Sequence, residues 1–203
     1  RQAYANFAYP YALSFQDAVI RMDRLGIDAS VVFPFPATEC LVLKDGVIRE
    51  APTSACRFPY DLENRNLFRE IFTVFPEHAE RGLPFAMVDP CRQVAAQMDL
   101  LEELHGEYGL CGLKACTSYI QSFVSGFLGE GRALLDFAAR ENLPLILHCA
   151  CVEDDPWARL DDVLAARDAW RDLDDDAREY VVDAFATYDE ADGTRLAAVD
   201  AAL

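Results

Sequence analysis

A chain of 203 residues with 52 % apolar side chains is long enough to bury a sizeable core. Its formal charge of −17 removes the electrostatic basis for binding nucleic acid or an anionic membrane, and no apolar run nears the ~18 residues of a membrane span. Its seven cysteines lie at irregular spacing and include no C-x-x-C pair, which sets aside zinc ribbons and thioredoxin-type motifs and suits reduced thiols in a cytoplasmic protein.

Residues 1–13 are aromatic and irregular and read as loop. Ser14 is a good N-cap with Asp17 three residues on, and Phe15, Ala18, Val19, Met22 and Leu25 follow at helical spacing up to Gly26. Residues 29–35 form a short buried strand closed by Pro34 and Pro36. An insertion near 39–57 follows, in which apolar runs flank Asp45-Gly46, a strong hairpin signal. Placed after a strand's C-terminal end, this hairpin is either a flap over a site or a decoration.

Residues 64–75 read as a helix, with Leu67, Phe68, Ile71, Phe72 and Phe75 on one side. The pattern then becomes regular. Strands are predicted over 83–88, 110–117 and 143–148, and helices from Asp89-Pro90 to about His105, over 132–140, and from Pro156 to about Trp170. Strands alternating with helices through short joints predict βαβ units and a parallel sheet. After residue 170 the chain turns acidic and helical, with helices expected over 173–184 and 194–203. From Cys151 to Leu203 there are sixteen acids against five arginines, which is −11 of the total −17. Asp174-Asp175-Asp176 reads as a solvated helix start.

The chemistry concentrates at Leu143-Pro144-Leu145-Ile146-Leu147-His148. An unbroken apolar run reads as a strand buried on both faces, and a polar residue at its C-terminal end sits where α/β folds bind ligands. The alternative is a hydrogen-bonded core histidine. His78 and His105 fall at helix ends, on the opposite side of such a sheet. Strand alternation places His148 and Ala150 on one face and Cys149 and Cys151 on the other.

Several segments resemble the amidohydrolase-related family of metal-dependent hydrolases, which includes decarboxylases. They are Met22-Asp23-Arg24-Leu25-Gly26-Ile27-Asp28, Leu83-Pro84-Phe85-Ala86-Met87-Val88-Asp89-Pro90, Gly112-Leu113-Lys114 and Pro144-Leu145-Ile146-Leu147-His148, and the similarity covers about residues 14–165. The resemblance implies an α/β fold, an incomplete (β/α)8 TIM-type barrel over residues 1–170, with the strand at Ala29 as the second of eight and those at Leu83, Leu110 and Leu143 as the third to fifth. Residues 171–203 would be an acidic helical tail. It makes His148 a metal ligand, implies a divalent ion, zinc by preference, and implies a small-molecule substrate hydrolysed at a C–N, C–O or lactone-type bond. The family's His-x-His pair on the first strand and aspartate on the eighth have no counterpart in this chain.

Lys114 is the second candidate. Alternation puts Gly112, Lys114 and Cys116 on one face, which the resemblance makes the barrel interior, and an interior lysine needs a partner or neutralisation. It can contact a substrate carboxylate, be carboxylated to bridge metals, form a Schiff base, or pair with an interior acid such as Asp89. Asp89 itself is a substrate-binding candidate or the N-cap of its helix, and Asp155 reads as a cap. The rivals to a hydrolase are therefore a decarboxylase, a metal-free lyase acting through Lys114, and a non-catalytic fragment whose open sheet edges favour pairing into a homo-oligomer.

Overall fold

The computed structural model describes residues 14–148 and 156–171. Expectations for residues 1–13, Cys149, Ala150, Cys151, Asp155, Asp174-Asp175-Asp176 and the two tail helices lie outside the described residues. The order is α1 (Phe15–Leu25), β1 (Ser30–Val32), β2 (Leu41–Lys44), β3 (Val47–Glu50), α2 (Asp61–Arg69), β4 (Gly82–Val88), α3 (Val94–Tyr108), β5 (Gly112–Ala115), α4 (Arg132–Arg140), β6 (Leu145–Leu147) and α5 (Leu160–Arg171). Strands β1, β4, β5 and β6 make one parallel sheet in that order, curled into a half-barrel. Among the described residues, no helix is long and apolar enough to cross a membrane.

Local chemistry explains the element ends. Ser14 caps α1 by accepting from the Asp17 N–H at 3.1 Å, and Gly26 ends it at φ 68°. Asp45 and Gly46 take φ values of 53° and 78°, the left-handed pair that a tight hairpin needs, and close β2 onto β3. Strand β1 is shorter than the expected 29–35, ending at Val32 before Pro34 and Pro36, because neither proline has an N–H to give the ladder. Helix α2 begins at Asp61 rather than residue 64 and passes into a wider π turn over Glu70–Val74. Helix α3 begins at Val94, so Asp89 stands outside it.

The helices cover one face of the sheet. Phe68 of α2, Val94, Leu100, Leu101 and Leu104 of α3, and Leu134, Leu135, Phe137 and Ala138 of α4 pack on Ala86, Val88, Leu113 and Ala115, with Leu145 and Leu147 against them. The alternate strand positions form the inner face: Val31, Leu83, Phe85, Met87, Gly112, Lys114 and Ile146. Gly112 is glycine for space, since a Cβ there would come within 2.3 Å of the Phe85 ring that lies across it.

Asn64 solves a problem created by the short β1. The β1–β4 ladder stops at Val32 opposite Pro84, so Met87 has no strand beside it on that edge. The Asn64 amide takes the strand's place, accepting from the Met87 N–H at 2.8 Å and donating to its C=O at 2.9 Å. In this way α2 is fastened to β4 at its site-bearing end.

Candidate functional site

The C-terminal ends of β4, β5 and β6 carry the candidates. Lys114 lies on β5 opposite Met87 on one side and Ile146 on the other. It is 5 % exposed, with its Nζ 5.4 Å from the centre of the Phe33 ring, a cation–π arrangement on the inner face. Cys116, two residues on, packs with Tyr60, Met87 and Ile120. Burial pushes its thiol up, with the Lys114 charge acting in the opposite sense.

His148 follows β6 and continues its ladder, donating its N–H to Ala115 O at 2.8 Å. Leu145 and Leu147 point to the helix-covered core, so alternation carries His148 to the Ile146 side, the side of Lys114. Its side chain is exposed. His78 and His105 lie away from this face, at the 3₁₀ turn before β4 and near the end of α3. The His105 Nδ1 accepts from the Leu110 N–H at 3.1 Å.

Asp89 is fully buried at the end of β4, and its carboxylate is engaged by neighbours. Oδ1 accepts from the Cys91 N–H at 2.9 Å and from the Ser122 hydroxyl at 2.5 Å, while Oδ2 accepts from Arg92 Nη1 at 2.7 Å. Arg92 also donates to Gln121 O at 3.0 Å, and Gln97 ties the same loop by accepting from the Asp89 N–H and donating to the carbonyls of Asp89 and Arg92. Asp89 is ion-paired with Arg92. Its place is in the loop before α3, where it joins the β4 and β5 ends, rather than at the helix N-cap.

The hairpin stands on these same ends. Gln121, in the loop after β5, donates Nε2 to Gly46 O at 2.9 Å and accepts from the Ile48 N–H at 2.8 Å, and Gln93 donates to Glu50 at 3.0 Å. Arg92, Gln97, Gln121, Ser122 and Asn64 were missed as site-building residues in the sequence. The one available signal was an amide on an otherwise apolar helix face, as with Asn64 beside Phe68 and Gln97 beside Val94, Leu100, Leu101 and Leu104.

A divalent ion needs more than this set gives. Catalytic zinc takes about three protein ligands, and no group of three or more His, Cys, Asp or Glu among the described residues can hold a metal. His148 is a single imidazole, the Asp89 oxygens already accept three bonds, and the raised Cys116 thiol favours its protonated form. The described residues therefore do not fit a metal by themselves. Among the described residues, Lys114, Phe33, His148 and the apolar inner strand positions share this face.

The five described cysteines are free. Burial, with Cys56 beside it, pushes the Cys40 thiol up to about 12, so at pH 8 only about one molecule in ten thousand is thiolate. Iodoacetamide at pH 8 is expected to label exposed Cys91 in the folded chain and to spare Cys40, Cys56 and Cys116 until urea is added. Peptide mass spectrometry checks this, and labelling of Cys40 as fast as Cys91 would contradict it.

The fold is that of a mixed α/β protein with a curled half-barrel of four parallel strands. No protein-family model, curated protein or solved structure matches the chain.

Proposed function

We propose that the inner face is the substrate side of a TIM-type enzyme of the amidohydrolase-related kind, and that Lys114 holds the carboxylate of a small organic anion there. The supporting observation is the placement of Lys114, 5 % exposed beneath Phe33, with His148 at the next inner position of the neighbouring strand. A charge-assisted bond between ammonium and carboxylate strengthens in such a low-dielectric setting, and the surrounding rings and aliphatic chains accept an apolar body. The resemblance implies hydrolysis as the reaction, with decarboxylation beside it. On this reading the contribution of the described residues is binding and orientation, and His148 supplies one donor at the mouth.

Titration of the full chain with benzoate, followed by NMR, tests the reading. Lys114→Met is expected to weaken binding at least tenfold and Lys114→Arg to keep most of it; equal affinity in Lys114→Met would overturn it. A borohydride-trapped adduct of pyruvate on Lys114 would replace it with the Schiff-base lyase.

A further inference from the structure

We propose that Cys40 and Cys56 form a reversible disulfide that latches the β2–β3 hairpin, with Glu63 of α2 as the acceptor of the thiol proton. The two cysteines bracket the hairpin: Cys40 stands directly before β2, and Cys56 lies in the connection between β3 and α2. Backbone geometry returns the second to the first. The Ala51 N–H donates to Cys40 O at 2.7 Å, which carries the β2–β3 ladder one pair further. Thr53 then turns the chain back. Its hydroxyl oxygen accepts from the Ala55 and Cys56 N–H groups at 3.2 and 3.0 Å, and its own N–H donates to Cys56 O at 2.8 Å. The two thiols end beside one another, at residues 1 % and 0 % exposed.

A carboxylate is held against this pair. The Cys56 thiol lies 3.7 Å from Glu63 Oε2 and 3.5 Å from Phe58 O, either of which can accept its proton. Glu63 is fixed in place by the Glu39 N–H, which donates to Oε1 at 2.6 Å, and by the Thr38 hydroxyl, which donates to Oε2 at 3.1 Å. Thr38 Oγ1 is itself 3.7 Å from Cys56 Sγ, so hydroxyl, carboxylate and both thiols form one buried cluster. The thiolate is the nucleophile in disulfide exchange. Burial, and Cys56 after it, pushes the Cys40 thiol up to about 12. Cys56, with the carboxylate beside it, is therefore the attacking thiol and Cys40 the resolving one.

The oxidant is a low-molecular-weight disulfide. Cys56 passes its proton to Glu63, and its sulfur attacks one sulfur of the small disulfide. A mixed disulfide forms, and the small thiolate that leaves takes the proton from Glu63. Cys40 then loses its proton and attacks Cys56 Sγ. The Cys40–Cys56 bond forms, and the second small thiolate is expelled and takes that proton. Two protein thiols are oxidised and one small disulfide is reduced to two thiols; a small dithiol reverses both steps. Access comes through residues 51–57, an irregular stretch in which Pro52, Thr53, Ser54, Ala55 and Arg57 are exposed around buried Cys56, the kind of segment that opens locally at low cost. The new bond closes the hairpin into a covalent loop and removes the states in which its ends separate. Gln121 and Gln93 hold this hairpin at the C-terminal strand ends, so the latch acts on the segment that borders them.

Equilibration of the full chain in buffers of glutathione and glutathione disulfide tests this, with an acid quench, peptide mass spectrometry, and circular dichroism as a control for folding. The expected product is a folded chain lighter by two hydrogens, linked from Cys40 to Cys56 and restored by dithiothreitol. Its equilibrium constant is expected to be at least about tenfold greater than in urea, because folding holds the two thiols together. A folded chain that keeps both thiols reduced, that stops as a glutathione adduct, or that is linked only through other cysteines overturns the proposal, as does a link favoured equally in urea. Cys40→Ala is expected to stop with glutathione on Cys56, and Cys56→Ala to leave Cys40 unmodified; the reverse pattern overturns the order of attack. Glu63→Gln keeps the shape of the side chain and is expected to slow the wild-type reaction at least about fivefold without changing its final extent. An unchanged rate overturns Glu63 as the proton acceptor. Hydrogen exchange at the Ala51 amide is expected to slow at least about tenfold once the link has formed, and unchanged exchange overturns the latch.

Discussion

Replacing Asp89 with alanine is expected to destabilise the protein by about 3–5 kcal/mol, the range for removing one partner of a buried charge pair. The carboxylate is fully buried, and the Arg92 side chain bonded to it is only 15 % exposed. Alanine strands the guanidinium, the Ser122 hydroxyl and the Cys91 N–H together. Asp89→Asn retains an oxygen for one or two of these donors and is expected to lose about half as much. Urea denaturation with an unchanged m-value measures both. A loss below about 1 kcal/mol in the alanine variant would mean that the loop joining β4 to β5 does not depend on this carboxylate.

Asn64→Leu is expected to cost about 2–4 kcal/mol, although leucine is close to asparagine in size and more apolar. The loss comes from Met87, whose buried N–H and C=O would be left without partners, at about 1–3 kcal/mol for each group. Asn64→Asp keeps the acceptor but sets a buried carboxylate against the Met87 carbonyl oxygen, and at pH 7 it is expected to cost at least as much as leucine. Hydrogen exchange at the Met87 amide gives a local check: it should be protected in the wild type and exchange faster in Asn64→Leu. Unchanged protection would show that the amide bond to α2 does not hold the end of β4.

Elements set by short-range interactions are legible in the sequence, and those set by long-range contacts are not. Helix α1 was legible from Ser14 to Gly26 because its cap, its apolar stripe and its terminating glycine lie within thirteen residues. The hairpin was legible because Asp45-Gly46 demands a backbone few other pairs adopt. The strand at 29–35 was overestimated because its apolar run outlasts the N–H groups available for pairing once Pro34 is reached. The start of α3 was placed too early because Asp89-Pro90 looks like a cap, yet the carboxylate turns to Arg92 and Ser122 instead.

The amino-acid sequence by itself determined which segments alternate as strand and helix, that the strands run parallel, and that Lys114 and His148 fall on strand positions of the same parity as Gly112 and Ile146. Those are consequences of periodicity and of residues a few places apart. Only the tertiary structure decided that the inner face is open at its edges and covered at its centre, and that Asp89 joins residues 33 positions away in Ser122. It also decided that Asn64 stands in for a strand beside Met87, 23 positions on. These contacts depend on how far each strand extends before its neighbour ends, a quantity set by packing across the sheet and absent from any local pattern of side chains.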